Sequence, residues 1–208
     1  MYPLLACSIV SLTFIVERII FWVQESKRSR PEEVEAVLEH LRHNRVKESL
    51  RMAKDSRDPE VQTLFRSLSH GPMALKEALS LEIDHSVERM RRSLGVIATM
   101  VTLSPLLGIF GTVTGIIQSF DLLGVSGIAD PQAVSVGIAQ ALITTAAGLA
   151  IAMPSLIFHN YFSSASDRYA FRLERHAAEF EILVNKLIQD RGLRGVAEPE
   201  IMKELIGS

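Results

Sequence analysis

The chain has 208 residues and a net charge of −2, so no global field marks nucleic acid or another polyanion as a partner. Its apolar fraction of 48% is ordinary, yet its mean hydropathy of +0.21 is high for a water-soluble chain, because charges crowd into the middle and the tail. The single cysteine, Cys7, excludes an internal disulfide and a CxxC metal or redox motif.

The first apolar run is Leu4 to Val23, interrupted only near its end by Glu17 and Arg18. It lacks a basic n-region and a small-residue cleavage site, and it is long enough to span a bilayer, so it reads as a span rather than a cleaved signal. Arg18 is expected to reach for the interface along its aliphatic stem. Glu17 lies about 20 Å along the run at 1.5 Å per residue, near its inner end.

A polar stretch follows, with short helices expected between Pro31 and Ser69. Asp58-Pro59-Glu60 is a helix start, with a capping acid, proline at the first helical position and an acid in the first turn. His40 and His43 are three apart and could share a metal, but Arg42 and Arg45 beside them favour a solvated face, and no metal is expected. His70-Gly71-Pro72 ends the short helices. Leu75, Leu79, Ile83, Val87, Met90 and Leu94 then recur at helical spacing and lead, with no Gly or Pro cluster, into the second apolar run.

That run, Val96 to Phe120, carries no charge, and neither does the third, Ala133 to Phe158. Both have the roughly 20 apolar residues a crossing needs, and the chain is too short to wrap two such helices in a soluble core. Asp130-Pro131 marks the start of the third span. A stripe of Tyr169, Leu173, Ala177, Phe180, Val184 and Leu187 continues from it, so two very long antiparallel helices are expected to pack together outside the bilayer. After Gly192 the chain turns polar and is expected to be mobile.

Orientation follows from the basic residues. The connection Asp121–Gln132 has none, whereas Ser26–Arg92 holds fourteen of the 22 Lys and Arg and the part after Phe162 holds seven. The positive-inside rule then places the N-terminus outside and the C-terminus in the cytoplasm. The expected organisation is all-α: a first span over 1–25, a cytoplasmic helical loop over 26–94, a second span over 95–121, a periplasmic loop over 122–132, a third span over 133–160, and a cytoplasmic helix and tail over 161–208. Membrane lipids are its surroundings.

Phosphate-loop, HExxH and GxSxG motifs are missing, so neither catalytic residues nor a cofactor are expected. The informative feature is a small and polar face on each uncharged span. Ser104, Gly108, Thr112, Gly115 and Ser119 share one side of the second; Gly137, Ala141, Thr145, Gly148, Ala152 and Ser155 share one side of the third. Small residues permit close helix contact, and hydroxyls can bond across an interface or line a wet cavity. Periodicity alone is equally consistent with plain packing, the threonines bonding back to helix carbonyls. A proton path is the sharper reading, but hydroxyls do not carry a proton as an ionisable group does, and neither span has an acid or histidine at mid-depth. A proton carrier would have to come from another chain.

At these residues the chain resembles the MotA/TolQ/ExbB proton-channel family, in particular its ExbB/TolQ branch. The resemblance lies in Ile15-Val16-Glu17-Arg18, in the segment Ser104–Ile116 with its Gly111-Thr112-Val113-Thr114-Gly115, and in Ile138–Leu149 followed by Ala152-Met153-Pro154 and Asn160. It implies a ring, commonly a homopentamer, around the membrane helices of a single-span partner of the ExbD/TolR type that supplies an intramembrane Asp. It also implies a proton-driven motor of the bacterial inner membrane that works on TonB- or TolA-like proteins. By the same resemblance Thr112 and Thr145 line the proton path, with Gln140, Thr144 and Ser119 as polar residues near the pore. Gly108, Gly111, Gly115 and Gly148 allow close helix approach, and Pro105 and Pro154 shape the spans. Gln140 stands where ExbB and TolQ members have glutamate, and His159 where they have tyrosine. The rival reading is a non-conducting membrane scaffold.

Overall fold

A computed structural model describes residues 2–68, 74–126 and 131–190. All regular structure among them is helical: α1 (Tyr2–Arg28), α2 (Pro31–Arg42), α3 (Val46–Asp55), α4 (Pro59–Ser67), α5 (Leu75–Arg91), α6 (Leu94–Ser126) and α7 (Pro131–Asp190). Three of them, α1, α6 and α7, contain stretches long and apolar enough to cross a membrane. The chain divides into two compact units, Met1–Ile20 with Arg91–Ser164, and Phe21–Met90 with Ala165–Ser208. The expected breaks at His70-Gly71-Pro72, at Asp130 and beyond Gly192 lie outside the described residues.

In the first unit α1 turns a stripe of Leu4, Cys7, Ser11, Ile15 and Arg18 inward, at spacings of three and four, and leaves Leu5, Ile9, Leu12 and Val16 exposed. The apolar outer faces of α6 and α7 are exposed too, among them Phe110, Ile117, Leu142 and Ile157. A helix satisfies its own backbone, so such faces suit lipid or a neighbouring chain. Pro105 and Pro154 lie inside α6 and α7, where each removes one ladder donor.

The second unit is an ordinary helical core. Val34, Val37, Leu38 and Leu41 of α2, Val46 and Ala53 of α3, and Val61 and Leu64 of α4 pack on Leu75 and Leu79 and on Ala177, Phe180, Val184 and Leu187. Met90 packs instead on Tyr169 and Leu173, so α5 and this part of α7 run antiparallel. All six residues of the expected α7 stripe are buried. Asp58 caps α4 by accepting from the N–H groups of Glu60 (2.8 Å) and Val61 (3.1 Å), and it also accepts from Arg30 N at 2.5 Å. Its burial pushes the carboxyl above the ordinary Asp range.

Three expectations need correction. The α5 stripe does not run unbroken into the second span: Arg92 and Ser93 interrupt the helix, and Ser93 has φ of 66°. Positive φ is uncommon for a residue other than glycine, so a serine at this position gives no sign of the break. Within α5, Ser86 rather than Val87 takes the buried position, because its hydroxyl meets Thr63 Oγ1 at 2.9 Å. Arg18 does not reach outward; it is 1% exposed and closes on Glu17 through bonds of 2.8 and 2.7 Å. A guanidinium on the inward stripe is less costly paired with a carboxylate than desolvated alone.

Candidate functional site

The two small-residue faces meet in an antiparallel seam within the first unit. A Cβ on Gly148 would fall 2.5 Å from the Ser104 carbonyl oxygen, one on Gly108 would fall 2.9 Å from the Thr144 carbonyl, and one on Gly115 2.7 Å from the Ala141 Cβ. Gly111 sits against the Thr144 side chain and Gly137 against Ser119. The helices approach backbone to backbone because these positions carry no side chain, and this closeness brings carbonyls of one helix within reach of hydroxyls on the other.

Thr112 and Thr145 face each other across the seam in a direct hydroxyl–hydroxyl hydrogen bond. Thr112 can also donate to Gly108 O and Ala141 O, both at 3.1 Å, and Thr145 to Gly108 O at 3.2 Å. Thr144 adds a third hydroxyl, 3.0 Å from Gly108 O and 2.7 Å from Ala141 O. Each hydroxyl has one proton and two lone pairs, so Thr112 and Thr145 can exchange donor and acceptor roles and still accept from an outside donor. Both threonines are half-buried, Thr144 and Ser119 are buried, and Gln140 is exposed. Ser119 donates back to Gly115 O at 2.8 Å. His159 lies half-buried, its Nδ1 3.4 Å from the neighbouring Asn160 Oδ1.

Chemically, this arrangement can solvate or hand on a proton held by a carboxyl group. It cannot hold the proton itself, since an alcohol does not ionise near neutral pH and the sequences of Leu94–Phe120 and Gln132–Phe158 contain no titratable side chain.

Some polar features of these spans escaped the sequence. Ser11 of α1 bonds Ser155 of α7 at 2.6 Å, fixing two apolar helices to each other. Its signal was the three-and-four spacing of the α1 stripe. Ser104 is fully buried, and its Oγ has no hydrogen-bond partner among the described residues.

Comparison with known proteins places the sequence in a family. The model of the MotA/TolQ/ExbB proton channel family matches residues 39–175. The chain belongs to that family. An ExbB-like chain of Synechocystis sp., named for biopolymer transport, is 30% identical over 203 residues, covering 90% of this chain and 76% of its own length. The Tol-Pal system protein TolQ of Pseudomonas aeruginosa is 38% identical over 111 residues, 53% of this chain and 48% of TolQ. The biopolymer transport protein ExbB of Pseudomonas putida is 27% identical over 173 residues, 81% of this chain and 48% of that protein. Within the family the chain stands on the ExbB/TolQ branch. It is a membrane protein with transmembrane helices and a transport-related role.

Proposed function

We propose that this chain is the ring-forming subunit, a homopentamer, of a proton-driven motor in the bacterial inner membrane. The ring surrounds the membrane helices of an ExbD/TolR-like single-span partner, and it passes work to TonB- or TolA-like proteins that serve outer-membrane transport or the envelope. The N-terminus lies in the periplasm and the C-terminus in the cytoplasm, as the distribution of basic residues favours. The observation that carries this reading is the Thr112–Thr145 hydroxyl pair, set in a seam without ionisable groups, in a chain of a proton-channel family. The partner's intramembrane Asp carries the proton, and the two hydroxyls accept or return its hydrogen bond as it passes. Gly108, Gly111, Gly115 and Gly148 keep the carbonyls close enough to hold both threonines in place, and Gln140, Thr144 and Ser119 complete the polar surroundings. The chain itself makes and breaks no covalent bond.

A non-conducting scaffold is the rival, favoured by the fact that every threonine of the seam has a partner within the chain. Affinity purification from the native membrane, followed by reconstitution in liposomes, separates the two. The motor reading expects a one-span protein with a membrane Asp to co-purify and proton flux to require it. A chain that conducts protons alone, or whose complex with that partner is proton-tight, contradicts it.

A further inference from the structure

A cleft in the second unit gathers an unusual charge. It opens over about 440 Å³ and is lined by Lys27 and Arg28 from the last turn of α1, Arg30 from the link to α2, Arg57 from the link into α4, Arg89 of α5, and the single carboxylate Glu25. Pro59 and Gln62 complete it. Glu25 meets Arg89 at 3.4 Å and Arg30 is engaged by Glu33 at 2.7 Å. Lys27, Arg28 and Arg57 have no carboxylate within ion-pair distance among the described residues.

Cations at the end of a spanning helix are common, and a simple count would explain Lys27 and Arg28. It does not explain why Arg57 and Arg89, from two other elements, converge on the same opening. Like charges brought together repel, and the repulsion is relieved when an anion sits among them. Guanidinium forks from separate elements suit the oxygens of a phosphate group. The depth of the cleft identifies the source of that phosphate. Val23, still exposed and apolar, precedes Lys27 by about one helical turn, so the cations stand at the level of lipid headgroups beside the acyl region.

We propose that this cleft binds the phosphodiester headgroup of an anionic phospholipid, such as a phosphatidylglycerol, through Lys27, Arg28, Arg57 and Arg89. The lipid joins the foot of α1 to the α3–α4 link and to α5, and holds these elements in register where the chain leaves the bilayer.

The chain contains one tryptophan, Trp22, on α1 just before the cleft, which makes a built-in probe. The full chain in lipid nanodiscs is titrated with dibrominated phosphatidylglycerol, and separately with dibrominated phosphatidylcholine of the same acyl chains, following quenching of Trp22. The anionic lipid is expected to quench at several-fold lower mole fraction. Arg57→Gln and Lys27→Gln should each weaken that preference by about fivefold. Lys47→Gln, the same charge change on an exposed residue outside the cleft lining, should leave it intact. Millimolar inorganic phosphate should not reverse the quenching beyond chloride of equal ionic strength. Equal quenching by both lipids, or a preference unchanged in Arg57→Gln and Lys27→Gln, overturns the proposal. Reversal by phosphate overturns it in favour of a soluble-anion site.

Discussion

The two units of this chain achieve close packing by opposite means. In the second, large side chains fill the space: Leu38, Leu64, Leu75 and Leu173 are each 2% exposed or less, and they interlock around α2 to α5 and the end of α7. In the first, the α6–α7 seam is formed where side chains are missing, with Gly108 and Gly148 letting one backbone rest on the other. Polar groups differ in the same way. The second unit buries ionisable groups in specific partnerships, such as Glu60 with His176 at 2.8 Å, whereas the seam holds only neutral hydroxyls and carbonyls. In water, apolar burial holds helices together and leaves room for charged pairs at the margin. In lipid that force is absent, and contact distance and shared hydrogen bonds take its place. A seam of neutral groups is also one that a charged carboxylate from outside can approach without meeting a fixed counter-ion.

The comparison can be broken most forcefully at Gly148. Gly148→Val would drive carbon atoms into the Ser104 carbonyl, a backbone atom that cannot step aside, and overpacking of this kind costs about 1–3 kcal/mol or more. The variant is expected to unfold at a clearly lower midpoint in mild detergent, and an unchanged midpoint would show that the seam is loose. Leu173→Ala tests the other unit. Leu173 is 0% exposed, and its truncation should cost about 2–5 kcal/mol, read as a lower unfolding midpoint. The loss should be insensitive to lipid composition, because Leu173 packs on Met90 and Tyr169 and is not part of the cationic cleft.

Asp58 gives a smaller and pH-dependent effect. Asp58→Ala removes the α4 cap and should cost about 1 kcal/mol. Burial raises the Asp58 pKa above its unfolded value of 3.8, so the folded state binds that proton more tightly than the unfolded one. The resulting stabilisation is present below the unfolded value and is lost as pH rises through the raised one. The difference in unfolding midpoint between wild type and Asp58→Ala should therefore shrink as pH rises across the mildly acidic range, since the other carboxylates titrate in both proteins.

Much of this architecture could be read directly from residue spacing. The six-residue stripe on α7 lies buried, and the start of α4 falls at Asp58-Pro59, because periodicity and capping act over a few residues and need no partner. What escaped depends on register between distant segments. The helix break at Ser93 has no glycine or proline to mark it. Arg18 gave no sign that it would turn inward, since its neighbour Glu17 suited either an exposed or a buried pair. The Glu60–His176 contact joins residues far apart in the chain. At the candidate site, the faces bearing Thr112 and Thr145 follow from helical period, but which hydroxyl meets which carbonyl follows from the offset between α6 and α7, and no local pattern encodes that offset.

Proton flux through the complex of this chain with the single-span partner proposed for it, measured in liposomes with a pH-sensitive dye, tests the central reading most directly. Thr145→Val keeps the side chain's volume and removes its hydroxyl. It should leave the oligomer and the partner bound and lower the flux by at least about tenfold, with Thr145→Ser restoring most of it. Undiminished flux through an assembled Thr145→Val complex would contradict the account.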